Sequence, residues 1–442
     1  MKSALFTYLL TYGGPVISLA RPYYGFLIYV CFGIIKPDSL WFWSVPQGNY
    51  SRIVAIGFLL GWAVHGFGNW RFGRGGLIIF SMIGFWLVLV AGAMMAPVPE
   101  IGWQTVEPMA KVFLPILAAA TLITSVKELR QLAWVIVLSM GFLAYEFNLT
   151  YYTTVFIPWE FYHGGLDNNG IAITMVTGIG VAFYLGLYSD HWWQRITAFL
   201  AAALMAHVVL FSNSRGGMLS LLVTMGVCFI LTPKRPRDYV YLLLGAALIF
   251  RLAGAGVQER FMTSFADEGT VEGADRGGRR LDHWKACLDS MMQQPLGVGP
   301  NHWPITAPQY GLPQMAAHST WLQMGAELGW PGVIFLVGIY GVCIWRLWPL
   351  TRQRTPVPDP WIRYLARMVI SGLIGFITSG QFVSSDGVEL PYYIALIGAG
   401  TLRLASPART DELATSRSDP DFQDAADPVD HPQLQSISER LD

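Results

Sequence analysis

Apolar residues are gathered in long blocks separated by short polar stretches, at roughly 4–20, 23–35, 53–68, 77–97, 110–126, 132–149, 170–189, 196–212, 217–232, 239–256, 332–348, 364–380 and 388–404. The blocks approach the length of about 20 residues that crosses a bilayer core as a helix. They predict a chain that crosses a membrane about twelve times. The first two are short and interrupted by Arg21-Pro22, where proline cannot donate a helical hydrogen bond. They read either as two spans or as one span plus a re-entrant piece. No tandem repeat is visible, nor the inverted half-to-half similarity of many transporters.

Composition agrees with the pattern. Of 442 residues, 53% are hydrophobic, 14% are aromatic and only 13% are charged, and the mean hydropathy is +0.42. Soluble proteins carry about 25% charged residues, so a soluble enzyme is excluded. The fold class expected is an all-α polytopic integral membrane protein. Cys31, Cys228 and Cys343 fall in apolar blocks and only Cys287 lies in a polar loop, so no disulfide framework is implied. Residues 1–20 have one Lys and no small-residue cleavage pattern, and are not read as a removable signal peptide.

The 29 basic and 29 acidic residues cancel, but unevenly along the chain. Residues 405–442 hold three basic and nine acidic groups, leaving a net +6 on the first 404. The tail, rich in Asp, Pro, Ser and Gln, cannot bury a core and is expected to be disordered. Alternate short loops of the body separate cleanly. One set contains Arg21, Arg71, Arg74, Lys127, Arg130, Arg195, Lys234, Arg235, Arg237, Arg346, Arg352, Arg354, Arg363 and Arg367; the other offers Lys36, Arg52 and Lys111. By the positive-inside rule the first set, and the tail with it, is cytoplasmic. Three features then face outward: the segment before Asp167-Asn168-Asn169-Gly170, the turn at Ser214-Arg215-Gly216-Gly217, and a long loop from about 257 to 317 that holds short amphipathic helices.

An unpaired charge in hydrocarbon is costly, so basic residues at outward membrane ends need a reason. Arg215 sits in a polar turn between two apolar blocks, beside two glycines that permit close approach of backbone or ligand. It reads equally as a ligand contact or as a snorkelling arginine in a tight turn. In Arg276-Gly277-Gly278-Arg279-Arg280-Leu281-Asp282-His283-Trp284-Lys285, the spacing of Leu281, Trp284, Leu288 and Met291 is helical. Arg280 would then lie near the N-terminus of an amphipathic helix resting on the membrane. It would there form an anion site with free backbone N–H groups, or simply anchor the helix to acidic lipid.

His318 stands where the polar loop turns into helix, and an imidazole there can take a proton near neutral pH; the alternative is a structural histidine. Glu327 follows nine positions on, half a turn away on a straight helix, so the two cannot form a dyad there. Either the helix breaks near Gly325 or Gly329, or Glu327 does separate structural work. His302, in the Gly/Pro turn after Gly297-Val298-Gly299, is a rival base better suited to packing. Outward loops lack HExxH, zinc-spaced Cys/His and paired Asp, and the chain has neither a P-loop nor GxSxG. What remains is a site of arginines and a histidine for an anionic substrate reached from the membrane.

Ser214-Arg215-Gly216-Gly217, then Arg280-x-x-x-Trp284 running into Pro295-Leu296-Gly297-Val298-Gly299, then His318-Ser319-Thr320-Trp321-Leu322-Gln323 with Glu327-Leu328-Gly329 follow one another in a fixed order. Together they resemble the O-antigen ligase and polymerase superfamily over about residues 130–345. Arg21-Pro22-Tyr23-Tyr24-Gly25 to Lys36-Pro37-Asp38-Ser39-Leu40, with Asp167-Asn168-Asn169-Gly170, resembles the exosortase-associated O-glycosylation ligases. Ser319 departs from the usual pattern, in which Asn often follows the His, and this bears on acceptor positioning.

The resemblance implies a multi-pass glycosyltransferase of the bacterial inner membrane, active on the periplasmic side without metal or cofactor. It would pass a glycan from undecaprenyl diphosphate to a hydroxyl of a glycan, lipid or protein, with membrane lipid but no nucleic acid as a partner. Arg215 and Arg280 would bind the diphosphate, with Arg279 the alternative at the second place, and His318 would act as base. The organisation that follows is N-terminal membrane helices at 1–126, central membrane helices at 127–256, a periplasmic loop at 257–317, C-terminal interfacial and membrane helices at 318–404, and the tail at 405–442. Rival readings are a polymerase of the same superfamily, a protein O-oligosaccharyltransferase and a transporter of lipid-linked glycan. The last would favour basic residues along the middle of spans, where Lys and Arg are nearly absent.

Overall fold

A computed structural model describes residues 2–234, 239–240, 274–384 and 388–405. Helices α1 (Lys2–Ala20) and α2 (Pro22–Ile35) meet at Arg21, whose extended backbone (φ −147°, ψ 91°) breaks the chain just before the proline. They are two helices packed face to face: a β-carbon on Gly25 would stand 2.7 Å from that of Ser18. One turn, α3 (Pro37–Leu40), leads to α4 (Tyr50–Val64), α5 (Gly76–Met95), α6 (Pro99–Leu122) and α7 (Val126–Thr153). A capping box of Ser125 and Glu128 starts α7, closing two of the N–H groups a helix end leaves open. Then follow α8 (Asn168–Tyr188), α9 (Trp192–Phe211) and α10 (Arg215–Leu231).

The second half contains α11 (Ala274–Gln293), the single turn α12 (Trp303–Thr306), α13 (Thr320–Leu336), α14 (Val342–Leu347), α15 (Pro360–Gly380) and α16 (Leu390–Leu404). Every apolar block read from the sequence is helical except 239–256, which lies outside the described residues beyond Val240. The tail and residues 257–273 of the long loop also lie outside them. Among the described residues the only extended pairing is His163 with Leu166. Eight helices are long and apolar enough to cross a membrane, and α4 and α10 are shorter apolar ones. The chain is an all-α multi-pass membrane protein.

Two features position the site. First, α8, α15 and α16 are buried along most of their length and form the centre of the bundle, whereas α1 leaves Leu5, Leu9, Tyr12 and Val16 exposed. Small residues set the central contact: a β-carbon on Gly180 of α8 would lie 2.8 Å from that of Ser371 on α15. Close approach of this kind is how membrane helices gain packing when lipid is as apolar as their side chains.

Second, Arg74, Arg130, Arg346 and Arg367 of one set of loops, joined by Arg403, tie neighbouring helix ends and loops together. Arg130 pairs with Asp190 at 3.0 Å and covers the Trp361 ring at 3.8 Å. Arg346 donates to the Arg74 carbonyl (2.8 Å), Arg403 to the Ala120 and Ile123 carbonyls (3.1 and 3.2 Å), and Arg367 to Tyr188 (2.6 Å) and the Thr351 carbonyl (2.7 Å).

Candidate functional site

The opposite end of the bundle carries the residues singled out by the sequence. Its first component is the turn between α9 and α10. Asn213 takes a left-handed backbone (φ 57°), and Ser214 caps α10 by accepting the Gly217 N–H at 3.2 Å. Arg215 is therefore the first residue of a helix rather than part of a loop, and its side chain is exposed. The two glycines after it serve packing, not ligand approach. A β-carbon on Gly216 would meet Phe382 at 2.6 Å, and one on Gly217 would meet Ala172 of α8 at 2.8 Å.

The start of α8 is tied to this turn. Asp167 caps α8 by accepting the Gly170 N–H at 2.8 Å, while the Asn168 side chain donates to the Ser212 carbonyl at 2.8 Å. On the other side, the 382–384 segment links Gly216 to the start of α13. Thr320 donates to the Val383 carbonyl through its N–H (2.9 Å) and its hydroxyl (2.6 Å). His318, two residues before Thr320, is thereby held at the same end as Arg215.

Helix α13 is not straight. Gly329 adopts φ 62° and ψ −161°, a region essentially closed to residues with a β-carbon. The chain reverses there, so that Trp321 and Tyr340, 19 positions apart, bring their rings to 6.1 Å. Reversal orphans the carbonyls of Ala326 and Glu327, and the Gly297-Val298-Gly299 segment supplies their donors: the Val298 N–H at 3.0 Å and the Gly299 N–H at 2.9 Å. The Glu327 carboxylate accepts the N–H groups of Asn301 (2.8 Å) and Trp303 (3.2 Å). Of the two alternatives for this residue, both hold: the helix breaks at Gly329, and Glu327 is a structural anchor of the 295–303 loop. His302 is likewise structural. It is 1% exposed, with Nδ1 bonded to the Pro300 carbonyl (2.8 Å) and Nε2 accepting the Val98 N–H (3.3 Å).

Arg280 departs from its expected place. The helix begins by Ala274, so Arg280 sits well inside α11, where backbone N–H groups are taken by the helix itself. Its half-buried guanidinium, not a helix terminus, is what it offers. The apolar spacing also divides differently from one face on a membrane: Met291 is buried with His283, Ala286, Cys287 and Ser290, while Leu281 and Leu288 remain exposed. The buried side packs on protein because Ala317 and Ala326 lie in the same small core as Ala286, Cys287 and Trp303. The side chain of Arg279 lies outside the described residues.

His318 is half-buried and has a left-handed backbone, φ 53°, which costs of order 1–3 kcal/mol for a residue with a side chain. Its imidazole is held below the ordinary value of 6.5, chiefly by burial and next by the Arg280 guanidinium; Asp167 opposes these and His283 adds to them. The charges of Arg280, Asp167 and His283 thus all bear on the His318 imidazole. Asp167 and His283 were given no role by the sequence reading. His283 follows Arg280 by one helical turn and is 1% exposed with both ring nitrogens unpartnered among the described residues. Burial pushes its pKa down, against Asp282. Next to the site, an apolar cleft of about 310 Å³ begins at Trp321 and is lined by Leu336, Tyr340 and Ile377.

No curated protein matches the chain. Residues 200–337 match the family model described as O-antigen ligase. The matched stretch contains the Arg215 turn, α11 and the His318–Glu327 helix, and in this region the chain is similar to the O-antigen ligases.

Proposed function

We propose that the protein is a lipid-linked oligosaccharide ligase of the bacterial inner membrane, working on the periplasmic face. A neutral imidazole at His318, beside Arg280 and at the same bundle end as Arg215, carries this reading. The acceptor hydroxyl gives its proton to His318 as its oxygen attacks the anomeric carbon of the donor. The bond from that carbon to the diphosphate oxygen breaks, and the undecaprenyl diphosphate leaves with the electron pair, inverting the anomeric centre. Charge builds on the leaving diphosphate, where Arg215 and Arg280 supply preorganised guanidiniums, with Arg279 as a further candidate. A depressed His318 pKa keeps the base unprotonated at neutral pH, and the apolar cleft at Trp321 suits the polyprenyl chain.

The test is purified protein with an undecaprenyl-diphosphate glycan and hydroxyl acceptors, following carrier release and product. His318→Ala should lower turnover by about 10²–10⁴-fold, the usual contribution of a general base, while the donor still binds. Wild type that leaves the donor intact yet moves it between leaflets would make the protein a transporter.

A further inference from the structure

Resting on the reading of His318 as base, we propose that Trp284 and Gln323 are positioning residues that hold the His318 imidazole in register with Arg280. The residue before His318 is clamped on both sides. The Trp284 indole N–H donates to the Ala317 carbonyl at 3.0 Å, and the Ala317 N–H donates to Gln323 Oε1 at 3.1 Å. Gln323 Oε1 also accepts the Ser384 hydroxyl at 2.7 Å, and Gln323 Nε2 donates to Glu327 at 3.0 Å. A main-chain N–H can only donate, so this network fixes which way the amide points.

The arrangement matters because His318 leaves the clamp with a positive φ, a conformation that the surroundings must impose. Three pieces of chain impose it: α11 through Trp284, the start of α13 through Gln323, and the 382–384 segment through Ser384. Trp284 stands one helical turn from Arg280, so one indole hydrogen bond couples the helix bearing the guanidinium to the loop bearing the base. Gln323 is 2% exposed and Ala317 fully buried, so both act on the reaction only through the backbone of His318. Arg280 and His318 lie 38 positions apart in the chain, and their alignment needs such a bridge.

The test uses the full-length protein in lipid nanodiscs with the polyprenyl-diphosphate donor. Trp284→Phe keeps an aromatic ring but removes the donor; Gln323→Leu removes the acceptor. Each should lower kcat by roughly 10- to 100-fold, the scale of a small misplacement of a reacting group, with the donor KM unchanged. In a His318→Ala background neither substitution should lower the residual rate further.

Wild-type kcat in Trp284→Phe and Gln323→Leu, or an equal loss on top of His318→Ala, would overturn the positioning role while leaving the base intact. Full activity in His318→Ala alone would overturn the base and the clamp together. A thermal transition near that of wild type separates either outcome from unfolding.

Discussion

The two ends of the helix bundle treat arginine differently. At one end Arg346, Arg363, Arg367 and Arg403 each donate to main-chain carbonyls left open at helix ends and loops, so the guanidiniums complete the protein's own hydrogen bonding. At the other end Lys36 is tied to the Gly164 carbonyl, and Arg52 and Lys111 share Glu107. Arg215 is exposed at the head of α10 with no ion pair or side-chain hydrogen bond among the described residues. Arg280 is half-buried beside a histidine whose proton affinity it lowers. An identical side chain is scaffold where carbonyls surround it, and under the proposed function it is a diphosphate ligand at the end that holds His318.

Conservative substitutions at the site end test this contrast most sharply. Arg215→Lys and Arg280→Lys keep the charge but lose the planar fork that matches a phosphate, and each should lower transfer by about 100-fold or more. Near wild-type transfer with lysine at 215 would remove that residue from the diphosphate site.

A smaller effect separates the neighbours of His318 by direction. Because its pKa lies below 6.5, transfer should persist through that pH and fall only on further acidification, as the base becomes protonated. Removing the cation in Arg280→Met should move this acid limb up. Removing the anion in Asp167→Asn should move it down, since Asp167 favours the protonated ring. Shifts of the same sign in both variants would show that His318 does not set the profile.

The smallest effect on chemistry is expected at the other end. Arg367 is 3% exposed and satisfies Tyr188 and the Thr351 carbonyl. Arg367→Met should leave the turnover of folded protein unchanged but cost about 1–3 kcal/mol of stability through the unpaired carbonyl, read as a lower thermal midpoint. A large loss of turnover there would erase the distinction between the ends.

The periodicity of apolar blocks was enough to locate the helices, since burial in lipid demands long uninterrupted runs. The alternation of basic loops likewise predicted which helix ends lie together. The order of Arg215, Arg280 and His318 was readable because motifs are local. What was not readable was the environment of each. Arg280 lies inside α11 because the polar residues from Ala274 onward also join the helix, which apolar spacing alone does not reveal. Asp167 shows only as a helix cap in its own stretch, 151 positions before His318. Gln323 sits in the motif, but nothing local says that it accepts the Ala317 N–H.

By itself the sequence determined that this chain is a bundle of membrane helices with its basic residues biased toward one set of loops, because hydrophobic length and charge bias act residue by residue. Tertiary structure alone decided that Gly329 reverses a helix, that Glu327 binds a loop, and that Arg280 and Asp167 bear on one imidazole from opposite electrostatic sides. Those outcomes depend on distances of a few ångströms between residues far apart in the chain, and a Coulomb or hydrogen-bond energy exists only once folding has set them.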